Sequence, residues 1–133
     1  MSEENVEIVK RAADAFNGRD LETRATFFDP AFEFVDHMGA VAEESGSSFE
    51  AIRRQAEGWL ETFPDFRAET RDLIDAGDRV ITVTHWQGTG AGSGLSYSQH
   101  AAEIVTIRDG KFVYWEMGFE SKEAALEAAG LSE

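Results

Sequence analysis

The residues able to carry acid–base chemistry fall on segments that alternate like strands. On SQHAAEIVTI, residues Tyr97, Gln99, Ala101, Glu103, Val105 and Ile107 share one face. On ITVTHWQ the corresponding set is Ile81, Val83, His85 and Gln87, and on FVYWEMGF it is Val113, Trp115, Met117 and Phe119. Within these largely apolar and aromatic sets, His85, Gln87, Tyr97 and Glu103 are the polar groups suited to a site. A carboxylate among aromatic side chains is disfavoured in its charged form, which suits Glu103 to proton transfer near neutral pH. A neutral imidazole at His85 can pass a proton or polarise a carbonyl. Two titratable groups whose surroundings separate their proton affinities fit enolisation or aldol-type cyclisation. Each residue also has a plainer reading. Glu103 can be an ordinary hydrogen-bonded residue or lie at a dimer edge, His85 can be a satisfied core histidine, and Trp59 and Trp115 can be core.

Other chemistries are excluded or unsupported. The chain has no cysteine, which removes disulfides, thiolate nucleophiles and thiolate metal sites. Its three histidines, His37, His85 and His100, contain no i,i+4 pair, and His85 and His100 fall on opposite strand faces, so no metal site is expected. The run Gly88-x-Gly90-x-Gly92-x-Gly94 lacks the lysine and the strand–loop–helix setting of a phosphate loop, and reads as a hairpin connection. The 26 acidic residues against 12 basic ones give a net charge of -14. That balance opposes binding to nucleic acid or to anionic membranes. No apolar run reaches the ~18 residues of a membrane span and the N-terminus has no basic signal region, so a cytoplasmic location is expected.

The elements that must position these residues follow from periodicity. The 133 residues read as one domain, 1–133, with no linker or repeat. Val6, Val9, Ala13 and Phe16 predict a helix from about Glu3 to Asn17. Asp20 caps a short second helix carrying Leu21, Ala25 and Phe28, which Asp29-Pro30 ends. Phe32 to Val35 reads as a short strand, and Gly39 to Ser48 as the loosest stretch. Ser47 and Glu50 have capping-box spacing for a third helix over 49–63, stopped by Pro64, with Ile52, Ala56, Trp59 and Phe63 as its apolar stripe. Four strands follow, over 66–74, 79–87, 97–107 and 112–119, with Asp109-Gly110 as a two-residue hairpin turn. Ser121 caps a last helix that ends at Gly130. Helices segregated from a run of strands give an α+β fold in which the helices pack on one face of a curved antiparallel sheet. With His100, Ala102, Ile104 and Thr106 facing outward, that outer face would be partly apolar, and an isologous homodimer would cover it.

The segments AADAFNGRDLETRATFFDPAFEFVD (12–36), FEAIRRQAEGWLETFPDF (49–66) and DGKFVYWEMGFESKEAALEAAGL (109–131) make the chain resemble the nuclear transport factor 2-like superfamily, and within it the SnoaL-like polyketide cyclase group. The resemblance implies a sheet wrapped around helices to form a cone with an internal pocket, usually in a homodimer. It also implies that the three strand faces above point into that pocket. Phe16, Phe34, Trp59 and Phe63 would form the helical wall, with Gln87, Tyr97, Trp115 and Met117 as further ligand contacts. In the ketosteroid isomerases of this superfamily one carboxylate follows the first strand, where Asp36 stands, and another occupies the position of Glu103. Their oxyanion tyrosine falls at Ala12 and is missing. The Arg-x-Asp pair and third acid of limonene epoxide hydrolases fall on His85, Gln87 and Met117, and do not match. The aspartate frequent near the end of SnoaL-like chains is Glu120. The implied activity is cofactor-free proton transfer on a small apolar carbonyl compound, of cyclase or isomerase type, with His85, Glu103 and Asp36 as its catalytic residues. The alternative is a non-catalytic ligand-binding or dimerisation module of the same fold.

Overall fold

The computed structural model describes residues 2–37, 44–47, 49–90, 92 and 94–131. Its first helix, α1 (Ser2–Asn17), carries Glu3 and Glu4 in the first turn, where acidic side chains complement the helix dipole. Its buried face is Val9, Ala12, Ala15 and Phe16. The last residue of α1 locks it to the sheet. The Asn17 amide donates to the Ala68 carbonyl at 2.7 Å and accepts from the Ala68 N–H at 2.8 Å, as a strand neighbour would.

The short α2 (Leu21–Ala25) is capped by Asp20, whose carboxylate accepts from the Thr23 N–H at 3.1 Å and the Thr23 hydroxyl at 2.6 Å. Those two bonds hold the Asp20 carboxyl below its usual range. The helix stops short of the expected Phe28. Thr26 caps it, and the chain turns straight into β1 (Phe28–Asp36). Pro30 is accommodated there because the ladder slips between Phe28 and Glu33. A further strand, β2 (Glu44–Ser47), lies in the stretch read from sequence as loose and pairs antiparallel with the end of β1.

After α3 (Phe49–Thr62) come β3 (Arg67–Ala76), β4 (Arg79–Thr89), β5 (Ser96–Arg108) and β6 (Lys111–Phe119), then α4 (Lys122–Ala128). These four strands form an antiparallel meander, and β1 joins β6 in parallel, giving the order β2-β1-β6-β5-β4-β3. The β5–β6 turn has positive φ at both Asp109 (51°) and Gly110 (75°), as a type I′ hairpin needs. Register shifts between Thr70 and Asp72, between Ala102 and Ile104 and between Thr106 and Ile107 mark bulges that bend the strands. The result is a curved, unclosed sheet whose inner face holds α1, α3 and the main core.

The outer face departs from expectation. Ala102 and Ile104, read as the apolar part of a dimer surface, are buried with Ile81 under Ala125 of α4 and Ala129 at its C-cap, from the same chain. The helices therefore occupy both faces of the sheet. No helix among the described residues is long and apolar enough to cross a membrane.

Candidate functional site

Between the inner sheet face and the helices lie two adjoining cavities, of about 60 Å³ and about 50 Å³. They share Phe16, Arg24, Trp86, Glu103 and Trp115 as walls. One side is an aromatic stack in which Phe66 lies flat between Trp59 (4.8 Å between ring centroids, 11°) and Trp86 (5.5 Å, 14°), with Tyr97 tilted against Trp59 at 5.2 Å. Gln55, Gln99 and Met117 complete the larger cavity, and Gln55 donates toward the Met117 sulfur at 3.9 Å.

A carboxyl and a guanidinium sit in this apolar setting. Glu103 is 4% exposed. Its Oε1 accepts from the hydroxyl of Thr82 at 2.7 Å and of Thr84 at 3.2 Å. Arg24, on α2, is 6% exposed, and its guanidinium lies over Phe16 and Phe28 at 5.2 Å each and over Trp115 at 5.8 Å. Among the described residues it makes no side-chain hydrogen bond or ion pair. Burial pushes it down to about 10, against the opposing pull of Glu103, so it remains cationic at neutral pH. A third polar group, the indole Nε1 of Trp115, is buried with no hydrogen-bond partner among the described residues.

The site residues read from sequence are placed as follows. Phe16, Trp59, Tyr97, Glu103, Trp115 and Met117 line the larger cavity. Phe63 stands behind that wall, against Trp59, Phe66 and Tyr97. Phe34 is buried core beside Phe32 and does not reach the cavity lining. The backbone of Asp36 closes β1 opposite Met117, and its side chain lies outside the described residues.

His85 and Gln87 are a correction, because β4 presents the other face. In an antiparallel pair, residues directly opposite share a face. Glu103 is opposite Thr82, and Gln99 is opposite Trp86, so Thr82, Thr84 and Trp86 point inward. His85 stacks on His100 across the outer face at 4.3 Å and 6°, with Nε2 2.7 Å from the Ser98 hydroxyl. Gln87 lies at a separate shallow hollow with Arg67, Thr89 and Ser98. Phe119 also leaves the expected face. Gly118, with φ of 87°, bulges the strand end, and Phe119 packs toward His37 and the α4 side. His37 bonds Glu116 at 2.9 Å. Among the described residues no cluster of three or more histidines and carboxylates is arranged to hold a metal ion.

Sequence reasoning missed Arg24, Gln55, Phe66, Thr82, Thr84 and Trp86. A signal existed for Arg24, since Leu21, Arg24, Ala25 and Phe28 keep helical spacing and place a cation on an apolar stripe.

This architecture and site define a cone-shaped α+β small-molecule fold, and the chain belongs to the SnoaL-like domain family, whose model matches residues 9–115. Among solved structures it is similar to Bal32a from a soil-derived mobile gene cassette (TM-score 0.81, 21% identity, covering 95% of this chain and 96% of that one). It is also similar to TerC, co-crystallised with polyporic acid (0.74, 21%, 96% and 97%). A third is a putative SnoaL-like polyketide cyclase from Jannaschia sp. CCS1 (0.72, 21%, 86% and 83%). At these identities the likeness is one of fold. No curated protein matches the sequence.

Proposed function

We propose that this chain is a cofactor-free enzyme that binds a small, largely apolar carbonyl compound and moves a proton through Glu103. The observation that carries the reading is a carboxylate buried in an aromatic cavity, with Oε1 fixed by two threonine hydroxyls. A fixed carboxylate in a dry site is a competent general base. The Arg24 guanidinium lies close enough to interact electrostatically with it.

In the step proposed, Glu103 takes a proton from the carbon next to the ligand carbonyl. The C–H electron pair becomes the C=C bond of the enolate, the carbonyl π pair moves onto the oxygen, and the buried indole N–H of Trp115 supplies a donor for the charge developing there. Returning the proton at another carbon gives isomerisation, whereas attack of the enolate carbon on a second carbonyl gives cyclisation. The polyporic acid complex of TerC and the cyclase assignment of the Jannaschia relative support a ligand of this kind.

The test is deuterium wash-in at the α-carbons of 2-tetralone in D2O, followed by NMR. The expected result is exchange well above buffer, lowered about 100-fold or more in Glu103→Gln. Exchange no faster than buffer, or unchanged in Glu103→Gln, overturns the reading and leaves a ligand-binding module.

A further inference from the structure

Arg24 is the group in the cavity whose placement the proton transfer leaves unexplained. A guanidinium has five N–H donors, and burying them without acceptors is unfavourable. Here the side chain is 6% exposed, lines both cavities, and has no hydrogen-bonded or ion-paired partner among the described residues. Glu103 is the only other charged side chain buried in the described chain. Its Oε1 is engaged by Thr82 and Thr84, and it acts on Arg24 through charge, with no ion pair between the two among the described contacts. The rings of Phe16, Phe28 and Trp115 hold the guanidinium by contact with its cation.

We infer that Arg24 is the seat for a carboxylate, so that the ligand of this cavity is a planar aromatic monocarboxylic acid. The planar fork matches a carboxylate in a bidentate manner, and a site with one cation in an aromatic box fits a flat ligand with a single negative charge. More highly charged groups such as phosphates meet Glu103 and a chain of net charge -14. Size sets a further bound. An apolar void of about 150 Å³ takes a benzene ring, whereas the two voids measure about 60 and 50 Å³ and share their walls. Together they are smaller than one ring needs, so even a one-ring acid enters only as the side chains shared between the voids move aside. The inference rests on the cavity taking a small molecule and is independent of whether Glu103 transfers a proton.

The experiment is isothermal titration of the whole chain with benzoate and 2-naphthoate, against benzamide and 2-naphthamide as uncharged analogues. The acids are expected to bind at least tenfold tighter than the amides. Arg24→Met should abolish that preference while leaving amide binding in place. Arg24→Lys keeps the charge and loses the fork. It should weaken acid binding at least threefold with no change for the amides, and it carries the test if Arg24→Met fails to fold. Glu103→Gln removes the opposing charge, so acid binding should tighten while 2-tetralone exchange stops. Acids that bind no tighter than amides, or a preference that survives both Arg24 variants, overturn the inference. Acid binding through Arg24 without tetralone exchange would overturn only the proton-transfer reading.

Discussion

Thr82 stands directly across the β4–β5 ladder from Glu103 and donates its hydroxyl to Oε1 at 2.7 Å. The one relationship does two things. It selects the Thr82, Thr84, Trp86 face of β4 as cavity wall, and it supplies a buried carboxylate with a donor that burial would otherwise deny it.

Thr82→Val keeps the shape of the side chain and removes that donor. Hydrogen bonds to charged groups are worth about 1.5–3 kcal/mol, and a loss in that range is expected by urea denaturation, with Thr82→Ser close to wild type. Thr84→Val, whose bond is longer at 3.2 Å, should lose less. Equal stability of Thr82→Val and wild type would show that the hydroxyl does not hold Glu103.

Arg24 predicts the opposite sign. Burial pushes its guanidinium down to about 10, and Glu103 does not offset that. Holding the charged form in the fold therefore costs on the order of 3 kcal/mol. For a base whose folded value is depressed, this deficit is fully present below about pH 10 and is relieved as pH rises through it, because there the unfolded chain binds more protons. Arg24→Met should thus be at least as stable as wild type at pH 7, and its advantage should shrink above pH 10. Thermal melts of both proteins from pH 7 to 11 check this; a marked loss of stability at pH 7 would show that the cation supports the fold.

How far the sequence could be read depended on how many faces each element buries. The helices α1 and α3 bury one stripe, and their extents and inward residues Phe16 and Trp59 were legible from periodicity. The meander was legible too, because Ala76-Gly77-Asp78 and Asp109-Gly110 punctuate it. The facing of β4 was not. Ile81 and Val83 pack toward α4 on one side, while Thr82, Thr84 and Trp86 line the cavity on the other, so alternation offers no polar face to identify. Only the pairing with β5, across a Gly-rich connection, decides it, and a one-residue difference moves His85 from the cavity to the outer face. Phe119 was lost for a similar reason, at the Gly118 bulge.

On the outer side, Lys122 reaches from the start of α4 to Asp72 of β3 at 2.8 Å. The hydrogen bond from Lys122, ahead of the backbone and charge contributions, holds the Asp72 carboxyl below its usual range, and the same bond holds the Lys122 ammonium above its own. The Asp72 contribution is present above the ordinary carboxylate range and lost as pH falls through its lowered folded value. The Lys122 contribution is present below the ordinary lysine value, about 10.4, and lost as pH rises through its raised one. Both side chains are well exposed, so Lys122→Met should lower the melting temperature only slightly at pH 7. The difference should vanish near pH 2 and in 1 M NaCl. A gap that persists at high salt would point to packing of the lysine stem instead.

Two glycines should respond in opposite directions to the same change. A Cβ on Gly88 of β4 would sit 2.9 Å from Phe63 Cβ and 3.2 Å from Phe66 Cα. Those atoms belong to the turn that carries the aromatic wall, where Asp65 also accepts the Thr89 N–H at 2.6 Å. The neighbour is backbone and a Cβ, neither of which can swing aside, so Gly88→Ala must push strand and turn apart, at about 1–3 kcal/mol. Gly58 lies inside α3, is exposed, and has nothing within 4 Å of the added atom. There alanine removes the entropic cost of a helical glycine, and Gly58→Ala should stabilise by about 0.5–1 kcal/mol. Paired denaturation curves decide it. If Gly88→Ala is as stable as wild type, the contact between β4 and the Phe63–Phe66 turn is loose, and the aromatic wall is free to move when a ligand enters.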